Sequence, residues 1–156
     1  MTHPAARGPA AGVKMKCLSL TQPWATLVVT GKKQYETRSW STRYRGPLLI
    51  HAAKGYPVSA EMFAYQQVKA GRLVAPPAGP SLPHGAIIGQ VDLIGVWSTD
   101  NPILRDELTD VERELGDYSP GRFAWALAYP VSFACHIVQR GALGLFNVDW
   151  QEAPNG

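Results

Sequence analysis

The stretch Gln22–Lys54, QPWATLVVTGKKQYETRSWSTRYRGPLLIHAAK, decides how this 156-residue chain is read. A helix opens it. Thr21 is available as N-cap, and Pro23 falls in the first turn, where its missing N–H removes no intrahelical bond. Trp24, Leu27 and Val28 recur at i, i+3 and i+4, one helical face. Gly31 stands where a left-handed C-cap is wanted. Tyr35–Trp40 then reads as a strand, Gly46-Pro47 as a turn, and Leu48–Ala53 as a second strand. Inside the stretch, Gly31–Arg38 spells G-x-K-x-x-E-x-R.

Alternation along the first strand puts Glu36, Arg38 and Trp40 on one face and Tyr35, Thr37 and Ser39 on the other. An acid, a base and an indole together make an odd core stripe but a reasonable cleft wall. Lys33 joins that face only if Gly31–Gln34 is an irregular turn, which the glycine permits. The plainer alternative is an exposed edge strand whose charges discourage aggregation.

Outside this stretch, Met15–Ser19 reads as a first strand, and a second helix spans Val58–Ala70, stopped by Gly71. Ala75–Gly85, with four prolines, reads as an extended loop. Ala86–Trp97 is a long strand. Asn101–Gly116 is the clearest amphipathic helix: Leu104, Leu108, Val111 and Leu115 line one face, and Asp106, Glu107, Asp110 and Glu114 lie on a solvated one. Thr109-x-x-Glu112 could instead cap a second short helix there. Arg122–Tyr129 alternates Phe123, Trp125, Leu127 and Tyr129 with three alanines, and Pro130 breaks the strand. Ser132–Val138 and Leu143–Val148 are further strands. The strands lack regular crossover helices, which argues against a doubly wound parallel sheet. The expected class is α+β: a small, mixed or mainly antiparallel β-barrel of five or six strands, flanked by two or three helices.

One domain, 15–150, is expected, with a flexible arm at 1–14 and a tail at 151–156. The opening MTHPAARGPAAGVK has no apolar h-region and does not read as a signal peptide. With 46% hydrophobic residues the chain can form a real core, and no run approaches the roughly 18 apolar residues of a membrane span. Cys17 and Cys135 have no Cys or His neighbour at zinc spacing, so two reduced thiols in a cytoplasmic protein are expected, with no metal and no cofactor.

The net charge is only +3, but it is unevenly spread. Residues 1–54 carry nine Lys/Arg and one acid, Glu36; residues 55–156 carry six Lys/Arg and eleven acids. A basic half beside an acidic half suits a polyanion, unless the charges scatter over a solvated surface. Arg43 and Arg45, flanking Tyr44, read as phosphate contacts or as a solvated turn. Trp40 and Trp125 are stacking candidates, and Trp24 reads as core or cleft wall. His51 ends an apolar strand close to Lys54. It reads as a hydrogen-bonded, half-buried histidine or as a site residue. Gln90 and Asp92 could read a base edge or cap the barrel end.

The octet, preceded by Gln22-Pro23-Trp24, closely resembles the signature of the ASCH domain family. Tyr44-Arg45-Gly46-Pro47, His51-Ala-Ala-Lys54, Gly89-Gln90-Val91, the aromatic strand Phe123–Tyr129 and the closing Leu143-Gly-Leu-Phe146 fit the bacterial and phage-type members. The resemblance spans Lys16–Trp150. It implies a PUA-type barrel with helices bordering a cleft that the Gly-Lys-Glu-Arg motif lines. It also implies RNA as partner, or, as in small members, hydrolysis of N4-acylated cytidines such as N4-acetylcytidine. By motif position Lys33 becomes the catalytic lysine. Glu36 stands where the small amidohydrolases have threonine. Their later glutamate falls to Asp92 or Glu61.

Three functions stay open. The first is binding of RNA or a modified nucleoside in a basic cleft bounded by Gln22–Trp24, Lys33–Trp40 and His51–Lys54, with Arg43 and Arg45 on its rim. The second is an amidohydrolase using Lys33 and Glu36. The third is a protein-interaction module built on the acidic helix Asn101–Gly116. No membrane partner is expected.

Overall fold

The computed structural model describes residues 12–74 and 82–151. Its elements are β1 (Val13–Leu20), α1 (Trp24–Val29), β2 (Tyr35–Arg38), β3 (Gly46–Ala52), α2 (Val58–Lys69), β4 (Ala86–Ser98), α3 (Pro102–Glu107), α4 (Asp110–Leu115), β5 (Phe123–Val138) and β6 (Leu145–Trp150). The strands form one mixed sheet in the order β2-β5-β4-β3-β1-β6. The β1–β3 pairing is parallel and the others are antiparallel. The α+β class holds. Hydrogen bonding leaves β2 and β6 as two sheet ends, so the ladder does not show the closed ring of a barrel. The sheet is curled nonetheless. Arg38 of β2 donates from Nη2 to the carbonyl of Ser19 in β1 at 3.1 Å, although three strands lie between them in the ladder.

Helix α1 packs its Ala25, Val28 and Val29 into the main core with Leu18, Ile50, Ile88 and Trp125. The close approach depends on Gly89 of β4. A Cβ there would lie 2.5 Å from Val29 Cγ1 and also meet the Val131 carbonyl. The helix starts later than its sequence implies. Pro23 occupies the N-cap position with no side-chain cap, which leaves Thr21 too far upstream to cap it. Gln22 Oε1 accepts from Thr26 N–H at 3.0 Å instead. The C-terminus follows expectation: Gly31 is left-handed (φ +78), its N–H reaches Val28 O at 3.1 Å, and Lys32 N–H reaches Leu27 O at 2.9 Å.

Two further readings need correction. Asn101–Gly116 is not one helix. It breaks at Leu108 and Thr109, both extended, into α3 and α4. Asn101 Oδ1 caps the first by accepting from Ile103 N–H, and Thr109 Oγ1 caps the second by accepting from Glu112 N–H. The extended backbone at Leu108 and Thr109 orphans the first donors of α4, and the Thr109 cap satisfies one of them. Nor does Pro130 end its strand. Gln90 pairs with Val131 and Asp92 with Ala128, so Tyr129 and Pro130 together oppose Val91 in a bulge. The proline sits where no ladder donor is needed, and Tyr129, at φ +52, turns to solvent rather than joining Trp125 and Leu127.

The other elements differ from expectation by a few residues at their ends. β1 begins at Val13 and β6 ends at Trp150. Most of the expected arm (residues 1–11), the loop residues 75–81 and the tail residues 152–156 lie outside the described residues. Cys17 is buried, Cys135 is exposed, and both are free. Burial pushes the Cys17 thiol up to about 12. No described helix is long and apolar enough to cross a membrane.

Candidate functional site

The turn after α1 aims the motif. Lys33 N–H bonds Leu27 O at 3.0 Å, which folds the chain back under the helix and turns the lysine inward. Its side chain is fully covered. Nζ donates to Tyr35 O and lies 3.7 Å from Glu36 Oε1. Glu36 Oε2 is 3.8 Å from Arg38 Nη2, and Glu36 Oε1 also accepts from Thr37 N–H at 2.9 Å. Ammonium, carboxylate and guanidinium therefore converge on the strand face that carries Glu36 and Arg38.

A fourth charge comes from a residue the sequence reading treated only as part of a cap. Glu112, buried on α4, accepts from Gln34 N–H at 2.6 Å through Oε1. Its Oε2 is buried without a hydrogen-bond partner. Burial raises its pKa above the ordinary carboxylate value, while the Gln34 bond and the nearby Lys33 charge pull the other way. Lys33 thus serves two acids. The signal was present in Thr109-x-x-Glu112, which fixes where α4 starts and hence which way residue 112 points.

Above this cluster lies a cleft of about 540 Å³. Glu36, Thr37 and Arg38 form its floor. Trp24 and Phe63 form an aromatic wall, their rings stacked at 5.0 Å and 12°. Trp24 Nε1 donates to Leu115 O at 3.0 Å, which fixes the indole. Gly116 passes over the lysine; a Cβ there would be 3.4 Å from Lys33 Nζ and 2.9 Å from Tyr118 Cε2. Burial also raises the Tyr118 pKa. The rim carries Glu114, paired with Arg72 at 3.1 Å, and Asp117, paired with Arg122 at 3.4 Å. Both carboxyls are held below their usual range, Glu114 by the Arg72 hydrogen bond and Asp117 by those from Ser119. Arg38 is the one cation on a lining with three acids, so this cleft is not the basic one expected.

A second hollow, about 860 Å³, lies beside it and shares Ser19 with it. His51 and Lys54 line this one. His51 faces Ser19 across the parallel pair, with Nδ1 at 2.8 Å from Ser19 Oγ and Nε2 at 2.7 Å from Gln139 O. The carbonyl can only accept, so Nε2 carries a proton, and in the neutral ring Nδ1 accepts from the serine.

The remaining expected site residues are elsewhere. Gln22 is fully buried, donating to Pro83 O and accepting from Thr26 N–H. Trp40 lies edge-on against Trp125 at 4.8 Å, and Trp125 is core. Arg45 bonds the carbonyls of its own turn, Thr42 and Tyr44, and Arg43 is exposed; neither lines either hollow. Asp92, whose charge acts on Tyr44, and Glu61, which lines a separate small pocket, do not line the cleft. Phe63, Glu114 and Asp117 line it without having been singled out. Among the described residues no group of three or more His, Cys, Asp or Glu is placed to hold a metal.

The ASCH domain family model matches residues 18–134. Activating signal cointegrator 1 from Homo sapiens and from Mus musculus are each 37% identical over 101 residues, covering 63% of this chain and 17% of the relative. The chain thus matches less than a fifth of those relatives' length. Among solved structures, ASCH from Zymomonas mobilis is 17% identical with a TM-score of 0.46, covering 79% of this chain and 72% of that one. A point mutant of the same protein is 18% identical with a TM-score of 0.44, covering 76% and 71%.

Proposed function

The chain belongs to the ASCH domain family, and from that premise we propose that its aromatic-walled cleft binds RNA or a modified nucleoside. We read the curled sheet as the family's PUA-type scaffold. One observation carries the proposal. A polar floor of Glu36 and Arg38, held from below by Lys33, faces the Trp24–Phe63 stack across a space of about 540 Å³. Such a space suits a small ligand with a flat apolar face and a hydrogen-bonding edge, which describes a nucleobase. Incubating the protein with a panel of modified nucleosides and short RNAs, read by mass spectrometry, tests it. Retention lost in both Arg38→Ala and Phe63→Ala supports the reading; retention unchanged in both overturns it.

Amide hydrolysis is the second reading, favoured by one feature: Glu36 presents a carboxylate to the cleft with a buried cation behind it. Glu36 would take a proton from water, the hydroxide would add to the acyl carbon, and the C–N bond would break. The proton would then pass to the departing cytidine nitrogen, leaving the free acid. Because the Lys33 ammonium is covered, Arg38 is the donor facing the acyl oxygen, and Lys33 positions Glu36. Release of acetate from N4-acetylcytidine, lost in Glu36→Gln while nucleoside retention persists, separates this from binding alone. The third reading loses the continuous helix on which it rested.

A further inference from the structure

We propose that the second hollow, bounded by His51, Lys54, His84 and Arg140, takes the sugar–phosphate backbone of a single-stranded nucleic acid. The base of that strand occupies the neighbouring cleft. The inference rests on the reading of that cleft as a nucleobase site and assigns the part of the ligand the cleft cannot hold.

Three observations carry it. First, the hollows adjoin: Ser19 lines both. Second, their chemistry is complementary. The cleft has an aromatic wall and three acids. The hollow has Lys54, Arg140 and two imidazoles on its lining, with no acid and no Trp, Tyr or Phe ring. No carboxylate there would repel an anion. Lys54 and Arg140 are exposed and enter no ion pair among the described residues, whereas Arg38, Arg72 and Arg122 at or near the cleft are each paired to an acid. Third, the size is wrong for one nucleoside. The cleft of about 540 Å³ already meets the need of a small ligand, and the further 860 Å³ is surplus unless the ligand is extended.

The histidines divide the work. Both ring nitrogens of His51 are engaged, by Ser19 and Gln139, so it forms a fixed wall. His84 uses Nδ1 on Ala53 O at 3.1 Å. Lys54 and Arg140 are the groups left to face phosphate oxygens. Lys54, just after β3, and Arg140, just after β5, bring positive charge together from segments far apart in sequence.

The experiment measures binding of a labelled tetranucleotide RNA and of the free nucleoside across a salt series. It uses the full chain, the double variant Lys54→Ala/Arg140→Ala, and Phe63→Ala. Loss of two phosphate contacts should reduce the slope of log K against log salt for the oligonucleotide by about 1.4. Nucleoside binding should be unchanged in the double variant and weakened in Phe63→Ala. An oligonucleotide that binds with an unaltered salt slope in the double variant overturns this inference and leaves the cleft reading intact. Nucleoside binding indifferent to Phe63→Ala overturns the cleft reading. Failure of the wild-type protein to bind the oligonucleotide overturns the inference. An anionic phospholipid vesicle arm separates the two sources of phosphate: sedimentation with vesicles that depends on Lys54 and Arg140, without oligonucleotide binding, also overturns it.

Discussion

Lys33 and Glu36 form an ion pair at 3.7 Å in which the cation is wholly covered and the anion keeps 12% of its side chain exposed. The protein presents the negative partner to the cleft and withholds the positive one. The lysine that motif position marks as the catalytic candidate is in the fold a covered counter-charge to Glu36.

Lys33→Ala should therefore act first on stability. It leaves Glu36 and the buried Glu112 without their shared cation, and breaking a buried pair typically costs about 3–5 kcal/mol. Urea denaturation checks this. A loss below about 1 kcal/mol, the range of a surface pair, would show that the ammonium is solvated.

Glu112 sets a pH dependence. Its folded pKa is raised above 4.5 by burial, so between 4.5 and that higher value the folded state binds more protons than the unfolded one. This contribution makes stability fall as pH rises through the window and levels off above it. Glu112→Gln should remove the decline. The stability of wild type minus that of the variant, followed by denaturation from pH 4 to pH 8, should decrease as pH rises; a flat or rising difference contradicts the assignment.

Gly89→Ala tests the seat of α1 on β4. The added methyl meets Val29 and the Val131 carbonyl, both fixed in packed elements. The expected loss is at the upper end of about 1–3 kcal/mol, read as a lowered thermal midpoint. Unchanged stability would mean that the helix rides higher on the sheet than described.

Gly141→Ala tests the packing around His51 in the second hollow. Its Cβ would lie 2.9 Å from His51 Cε1 and 3.3 Å from Ser19 Oγ. His51 is buried and held at both nitrogens, so it has little room to yield. A loss of about 1–3 kcal/mol is expected, with displacement of the His51 ring resonances in NMR spectra. Intact resonances would refute the contact.

Local signals carried much of the first half of the chain. Gly31 ends α1, Gly71 follows α2, and residues 35 to 38 form a strand, because capping, periodicity and turn chemistry act over a few residues. The convergence of Lys33, Glu36 and Arg38 was legible for the same reason, since strand alternation and one glycine turn suffice to place them. What failed was long-range. Arg43 and Arg45 are close to the motif in sequence, but their turn carries them off the cleft. Glu114 and Asp117 reach the rim only through tertiary placement of the segment after α4. The parallel β1–β3 pairing joins segments some thirty residues apart, and nothing local specifies it. The charge asymmetry pointed to a basic cleft, whereas Lys54 and Arg140 assemble their positive charge next door.

The break at Leu108 and Thr109 has an effect beyond shape. An unbroken helix would carry residue 111 inward with 104, 108 and 115 and leave residue 112 at the edge of that stripe, about 70° from its centre. The interruption resets the phase, so Val111 stays partly outside and Glu112 goes in. One hydroxyl at position 109, remote from any ligand, thereby governs the electrical balance beneath Glu36. Sequence drift in this short connector would retune the chamber without altering a single group on its walls.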